Sequence, residues 1–282
     1  MIKIRFFKSN ANRAGRYYRP VLLILMLLGL AVYSLECTSI VQADSSVHMT
    51  ATPSSVSGIS IPESGEPVIL QPGNHARLVS PLKLKLLTHP GEDGLVRLEL
   101  IGHDNRLIFR KLLDYKEYSN KTLLIEQEIP FEVRNDEPAR LQVVLEDSKG
   151  KTIFVSSIEL TLLVVKGSET NGDAPVNPRF IIEQPVSGST VPGTDLFVKA
   201  KIKPINETPV VVEVLAKDWN TLASKLVSVK FPADQTAYIP IQVKLPYKTG
   251  TDTPVTIRIR QESSTLITGT VLMWSEKVTL TK

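Results

Sequence analysis

The stretch ILQPGNHARLVSPLKLK, residues 69 to 85, returns in altered form as IEQPVSGSTVPGTDLFVK, residues 182 to 199. Each version contains a Gln-Pro pair, then a polar loop, then a run in which apolar and polar residues alternate. Gln71-Pro72 corresponds to Gln184-Pro185, which lies 113 residues later. This repetition predicts that the chain contains two copies of one domain.

The rest of the two copies aligns at an offset that only grows along the chain. Duplication followed by small loop insertions produces such an offset, whereas chance matches would scatter. We therefore expect one domain at 67–166, a linker at 167–178 and a second domain at 179–282. The matched segments are LELIGHDNRLIFRKLL (98 to 113) with VEVLAKDWNTLASKLV (212 to 227) at 114, PARLQV (138 to 143) with PVTIRI (254 to 259) at 116, and LTL (160 to 162) with VTL (278 to 280) at 118.

Within each copy the apolar residues follow the period of β-strands. The first copy contains seven short runs such as LKLKLL and VRLELIG, which alternate wholly or in part and are separated by Gly, Pro, Asn or Asp. Residues that alternate in this way place one face toward a core and the other toward solvent. Seven such strands in about a hundred residues predict an all-β fold of two antiparallel β-sandwiches.

The order of these signals is similar to that of immunoglobulin-like domains in bacterial exported proteins, the Gmad2-like domains especially. An apolar strand is followed by Pro, Gly, a turn and a strand, and a later apolar-Glu-apolar strand runs into Asp and a small turn. The resemblance covers residues 67 to 164 and 179 to 281. It implies two tandem Ig-like sandwiches with a binding or scaffolding role outside the cytoplasm, and it supplies no catalytic residues.

The N-terminus has the features of an export segment. Basic residues precede VLLILMLLGLAVYSL, residues 21 to 35, which contains no charge. Such a segment is a signal peptide (residues 1–43) cleaved near Ala43, or a membrane anchor formed by residues 21–41. A Ser-, Thr- and Pro-rich linker follows at 44–66. Both alternatives place the remainder of the chain in an extracytoplasmic location.

Charge and cysteine content exclude several classes of protein. Six of the 33 basic residues and one of the 29 acidic residues lie in residues 1–43. The remainder therefore contains 27 basic and 28 acidic residues and is almost neutral. A balance of this kind argues against a nucleic-acid partner, which requires an excess of Lys and Arg. Cys37 is the sole cysteine, so no disulfide joins the domains. Ser34 and Glu36 before it do not fit the pattern that precedes a lipid-modified cysteine.

The sequence contains no pattern of a catalytic, cofactor or metal site. Histidines 48, 75, 89 and 103 lack the short spacing of metal ligands, and we expect them to be solvated loop residues. Glu126 and Glu128 share one face of a predicted strand, which the alternation assigns to solvent. We therefore expect a protein that is not an enzyme and has no cofactor.

The duplication singles out one candidate for ligand contact. Asp104-Asn105-Arg106 in the first copy becomes Asp218, Trp219 and Asn220 in the second, at a predicted hairpin turn where packing does not demand an aromatic residue. Trp219 either folds back onto its own sandwich or the neighbouring domain, or contacts a partner or glycan. Trp274, in the last strand, is predicted to belong to the core.

These observations favour an exported, non-enzymatic protein of the cell envelope that binds or spaces other components. Its partner would be an envelope protein or glycan, and the membrane itself if the N-terminal segment is not cleaved. The alternative is a carbohydrate-binding module, which requires exposed aromatic rings. An enzyme is the least favoured class.

Overall fold

The computed structural model describes residues 65–118, 121–174, 178–234 and 236–282. The predicted signal or anchor segment, and all of the predicted linker except Gly65 and Glu66, lie outside these ranges. The described chain is all-β, as predicted, with one turn of 3-10 helix at Lys116–Tyr118. No helix within the described ranges has the length and apolar character needed to cross a bilayer.

The first half of the structure, residues 65–174, and the second half, residues 178–282, each contribute eight strands. The first half contains β1 (Val68–Gln71), β2 (Ala76–Val79), β3 (Leu82–Thr88), β4 (Leu95–Gly102), β5 (Leu107–Asp114), β6 (Leu123–Ile129), β7 (Glu137–Glu146) and β8 (Thr152–Leu163). The second half contains β9 (Phe180–Gln184), β10 (Thr190–Val191), β11 (Asp195–Ile202), β12 (Val210–Ala216), β13 (Thr221–Val227), β14 (Ile239–Pro246), β15 (Thr253–Glu262) and β16 (Thr270–Leu280).

Both halves have the same strand order. In the first half a three-stranded sheet, β1-β3-β6, packs against the sheet β2-β8-β7-β4-β5, and the second half repeats this as β9-β11-β14 and β10-β16-β15-β12-β13. The strand β2 runs parallel to β8, and β10 runs parallel to β16. Buried side chains from both sheets, such as Leu84, Leu98 and Leu141 in the first half, form the core. This is the order of an immunoglobulin-like sandwich.

The repeated Gln-Pro pair lies at the same place in both sandwiches. The peptide bonds Gln71-Pro72 and Gln184-Pro185 are both cis. Each follows the first strand of the three-stranded sheet and precedes a short strand at the edge of the larger sheet. The segment expected to be a polar loop after Gln71-Pro72 contains a strand, β2. Its four residues pair with β8, although their sequence does not alternate between apolar and polar residues.

The two halves share one sheet. Strands β8 and β16 are antiparallel neighbours, with Leu272 opposite Ser156 and Met273 opposite Val155, so the two larger sheets form one of ten strands. At the offset of 118, Met273 is the equivalent of Val155, and each therefore faces its own counterpart. An approximate two-fold axis passes through this pair.

The predicted linker 167–178 is not a simple connection where the structure describes it. Thr170 pairs with Arg77 and Asp173 pairs with Asn74 through backbone bridges. The chain thus follows the edge of the first half before it enters β9.

Candidate functional site

Of the histidines named above, His75, His89 and His103 lie within the described ranges, as do Glu126 and Glu128, whereas His48 lies outside them. No group of three His, Cys, Asp or Glu side chains among the described residues could hold a metal ion. The side chains of His75 and His103 are exposed, and they contact the carboxylates of Asp173 at 2.8 Å and Glu137 at 3.0 Å. His89 differs from the expectation of a solvated residue: it is half-buried, and burial lowers its pKa.

The pair Glu126 and Glu128 is exposed, as the alternation predicted. Glu126 forms an ion pair with Lys85 on the neighbouring strand, at 3.1 Å. The face that carries this pair is therefore a solvated face of the sheet.

Two buried glutamates, which the sequence pattern did not single out as sites, lie at equivalent positions in β4 and β12. Glu99 accepts hydrogen bonds from Arg110 and Gln142, and Glu213 accepts hydrogen bonds from Arg258 and Arg260. Burial would raise the pKa of Glu213, but the hydrogen bonds and charges of its two arginines outweigh burial and lower it. The buried glutamates therefore tie their strands to neighbouring strands of the same sheet.

The tips of two equivalent hairpins carry an unusual backbone conformation. Asn105, between β4 and β5, has a φ of 63°, and Trp219, between β12 and β13, has a φ of 69°. Asparagine adopts this left-handed region readily, but for other L-residues it costs about 1–2 kcal/mol. Trp219 is therefore a residue that the turn itself does not favour.

The first junction is the place where the tip at Asn105 meets residues 263–269 of the second half. The Asn105 side chain donates to the carbonyl of Leu266 at 3.1 Å and accepts the backbone N–H of Thr268 at 2.7 Å. Below it, Arg140 is only 3% exposed and donates to the carbonyls of Ile267 at 2.8 Å and Thr268 at 2.6 Å. Direct hydrogen bonds thus bridge this junction.

A further hydrogen bond crosses the first junction nearer the approximate two-fold axis. The buried hydroxyl of Ser157 donates to the carbonyl of Val271 at 2.7 Å. A cavity of about 190 Å³ lies beside Ser157 and is also lined by Asn74, His75 and Asp173. Direct hydrogen bonds therefore bridge the first junction at Asn105, at Arg140 and at Ser157.

The second junction lies on the other side of the axis, where the tip at Trp219 approaches the β7–β8 loop of the first half. The residues equivalent to those of the first junction are different here. Trp219 is equivalent to Asn105, Thr256 is equivalent to Arg140, and Ser275 is equivalent to Ser157. Two adjoining cavities of about 450 and 320 Å³ lie here, and both are lined by Asp147, Trp219, Thr256 and Lys277. We call this space the second-junction cleft.

The predicted site residues are only partly brought together. Asn220 donates to Asp218 through its backbone N–H at 3.2 Å and its side chain at 2.6 Å, and both residues are exposed. They shape the turn and do not line the second-junction cleft. Trp219 does line it; its half-buried indole has its centroid 5.9 Å from the guanidinium carbon of Arg258. Trp274 is 2% exposed, which confirms its assignment to the core.

No protein-family model and no curated protein matches the chain. It is similar to dimeric latent PorU from Porphyromonas gingivalis, with 16% identity and a TM-score of 0.28 over 78% of this chain and 20% of that one. It is also similar to the titin domains Z1Z2 in complex with telethonin, with 12% identity and a TM-score of 0.22 over 76% and 95% of the two chains. A β-glucuronidase from Ruminococcus gnavus has 12% identity and a TM-score of 0.22 over 69% and 34%.

The chain thus spans a fifth of the length of the PorU chain and about a third of the glucuronidase chain. The strand order of both halves places the protein in the class of tandem immunoglobulin-like β-sandwich proteins. Its distinctive feature is the unequal pair of junctions between the halves.

Proposed function

We propose that this protein is an exported, non-enzymatic component of the cell envelope, in which two immunoglobulin-like halves form one rigid unit that binds or spaces other components. The observation that carries the proposal is the pairing of β8 with β16, which fuses two sheets into one. Tandem domains joined only by a linker reorient freely, whereas strands of one sheet keep a fixed distance. The resemblance to Gmad2-like domains agrees with this role.

Rigidity is also supported by direct bonds at both junctions. At the first junction, Arg140 and Asn105 bind backbone carbonyl and N–H groups of the second half. At the second junction, Lys277 of the second half forms an ion pair with Glu92 of the first at 2.6 Å. Hydrogen bonds to a buried charged group contribute about 1.5–3 kcal/mol, more than exposed ion pairs. The buried arginine is therefore the strongest of these ties.

The rigid unit predicts a single distance between its two ends. Strands β5 and β13 lie at opposite ends of a path of eight neighbouring strands, whose seven intervals of about 4.8 Å give about 34 Å. Leu112 and Leu226 occupy these strands and are 55% and 66% exposed, so both accept labels. Spin labels at these positions, in a Cys37→Ser background, are expected to give one narrow distance distribution near this value in pulsed electron resonance.

An Arg140→Met variant is expected to broaden that distribution and to lower the free energy of unfolding by about 2 kcal/mol, because two carbonyls at the junction lose their donor. Arg134→Met, at an exposed loop position, is the control and is expected to change neither quantity. A broad distribution in the unaltered protein would contradict the rigid unit.

Location is tested by the N-terminus of the mature protein. Cleavage near Ala43 predicts a protein that starts at Asp44, and an anchor at residues 21–41 predicts an intact N-terminus in the membrane fraction. Mass spectrometry of the protein from fractionated cells distinguishes the two. An intact protein in the cytoplasmic fraction would contradict an envelope role.

The second candidate function is carbohydrate binding. It is favoured by one observation, the position of Trp219 on the wall of the second-junction cleft.

A further inference from the structure

The second-junction cleft exists because equivalent residues differ between the two junctions. Where Arg140 fills the first junction and bonds two carbonyls, the second has the much shorter Thr256. At the first junction Asn105 forms hydrogen bonds with the opposite loop. At the second junction the equivalent residue is Trp219, whose ring lines a cavity. Since the fold and pairing register are the same on both sides, the fold alone does not require this space.

Trp219 is held in the cleft at a backbone position that favours asparagine. Its φ of 69° matches that of Asn105, so the turn conformation was kept while the side chain changed. A large aromatic ring in a disfavoured conformation is a form of local strain, and such strain is concentrated at functional sites. The ring therefore points to a role that the hairpin itself does not need.

Ser275 supplies a second, independent observation. It is 4% exposed and lines the larger cavity, yet its hydroxyl has no hydrogen-bond partner among the residues that the structure describes. The equivalent hydroxyl of Ser157 donates to a carbonyl across the first junction. Buried polar groups are normally paired, so the Ser275 hydroxyl beside the cleft lacks a hydrogen-bond partner of the kind that a polar ligand would supply.

The lining of the cleft fits an uncharged, hydroxyl-bearing ligand. Charges of the two signs are equal in number: Lys149, Lys217 and Lys277 stand against Glu92, Asp147 and Glu276. This balance disfavours strongly anionic or cationic ligands.

The carboxylate on the cleft wall is also fixed in direction. Oδ1 of Asp147 accepts the backbone N–H groups of Lys149 at 2.9 Å and Lys151 at 2.8 Å. The two cavities, at about 450 and 320 Å³, have the size of small-molecule sites.

We propose that the second-junction cleft is a carbohydrate-binding site, in which a sugar ring lies on the indole of Trp219 and its hydroxyls bond to Ser275, Asp147 and Thr256. A sugar ring has an apolar face of C–H groups and a rim of hydroxyls, which matches an aromatic wall beside polar side chains. The inference deepens the proposed binding role by naming a glycan as the ligand of this surface. It does not depend on the rigidity of the unit, because the distance measurement can fail while sugar binding succeeds.

The test is a titration of the full-length protein with uncharged tetrasaccharides, kept in a detergent without a sugar head group. The probes are the β-1,4-linked tetramers of glucose and of N-acetylglucosamine and the α-1,4-linked tetramer of glucose. The chain has two tryptophans, and Trp274 is buried, so a change in fluorescence reports on Trp219. We expect saturable quenching by at least one probe with a Kd of about 1 mM or tighter.

Two variants copy the first junction into the second. Trp219→Asn is expected to weaken binding about tenfold or more in calorimetry, with a melting temperature within about 5 °C of the parent. Thr256→Arg is expected to abolish binding by filling the cleft. Leu226→Ala, which removes an exposed leucine from the same hairpin outside the cleft, is the matched control and is expected to bind as the parent does.

Absence of saturable binding to all three tetrasaccharides at about 10 mM would overturn the proposal. So would binding that both Trp219→Asn and Thr256→Arg leave unchanged, because the sugar would then occupy another surface. If Trp219→Asn fails to fold, Thr256→Arg alone decides: unchanged affinity refutes the site, and lost affinity in a folded protein supports it.

Discussion

Replacing Trp274 with alanine is expected to lower the free energy of unfolding by about 3–5 kcal/mol. The indole is 2% exposed within the core of the second half, and its ring centroid lies 6.5 Å from that of Phe180. The surrounding strands are fixed by their ladders, so they can collapse only in part into the space that the ring leaves. Denaturant titration followed by circular dichroism measures the loss.

The control for this prediction is the other tryptophan. Trp219→Asn is expected to change stability by no more than about 1–2 kcal/mol, because the packing lost at the hairpin tip is offset by relief of the left-handed backbone conformation. Equal losses in the two variants would mean that Trp219 is structural packing, and would also remove the main support for the cleft as a ligand site.

The contrast between the two tryptophans follows from their sequence contexts. Trp274 stands in an apolar run of a predicted strand, and Trp219 stands between Asp218 and Asn220, where turn residues are expected. Such local patterns predicted which indole is buried in the core and which lies at a hairpin tip. They could not predict the cleft beside Trp219, because its walls come from both halves of the chain and from several strands and loops.

The same reasoning explains which strands the sequence revealed. Strands such as β3 alternate because one face is buried and the other solvated, so Leu82, Leu84 and Leu86 are buried while Lys83 is exposed. The edge strands β2 and β10 have only four and two residues, too few to show a period. They form because the chain passes alongside β8 or β16, whose edge offers backbone groups for hydrogen bonding. This depends on the tertiary structure and not on the local sequence.

The sharing of one sheet was likewise beyond local patterns, although one signal was present. Strands β8 and β16 have twelve and eleven residues, while their short parallel partners cover only one end of each. The uncovered ends, at Val155 and Met273, pair with each other. A duplicated domain whose last strand outruns its neighbours therefore has a free edge that its own copy can complete.

Glu66, the last residue of the predicted linker, makes contacts that the composition of that stretch does not indicate. The Ser- and Pro-rich stretch before it is typical of a linker, but Glu66 is 4% exposed and accepts hydrogen bonds from the backbone N–H groups of Arg179 and Phe180. These two residues begin the second half, so the carboxyl group ties the start of one half to the start of the other. Because its partners are backbone groups more than a hundred residues away, no side-chain pattern indicates the contact.

Glu66 is expected to make stability fall as pH rises from about 4.5 to about 7. Burial raises the pKa of Glu66 from 4.5 to about 7, against the opposing effects of its backbone hydrogen bonds and of Arg179 and Lys203. Below 4.5 the group is protonated in both the folded and the unfolded protein and contributes nothing to the difference. Above 7 it is ionised in both, and the folded state bears the cost of a buried charge, about 3 kcal/mol for this pKa difference.

A Glu66→Gln variant isolates this effect, because glutamine keeps the size and one acceptor of the side chain but does not titrate. The difference in unfolding free energy between the variant and the parent is expected to grow in favour of glutamine by about 3 kcal/mol between pH 4.5 and 7.5. Half-buried His89, whose lowered pKa acts in the opposite direction, is present in both proteins and cancels. Arg179, with a pKa lowered by burial to about 10, remains charged throughout this range. A difference that stays constant with pH would show that Glu66 is ionised in the folded protein at all these values, and that its two backbone donors and neighbouring cations outweigh burial.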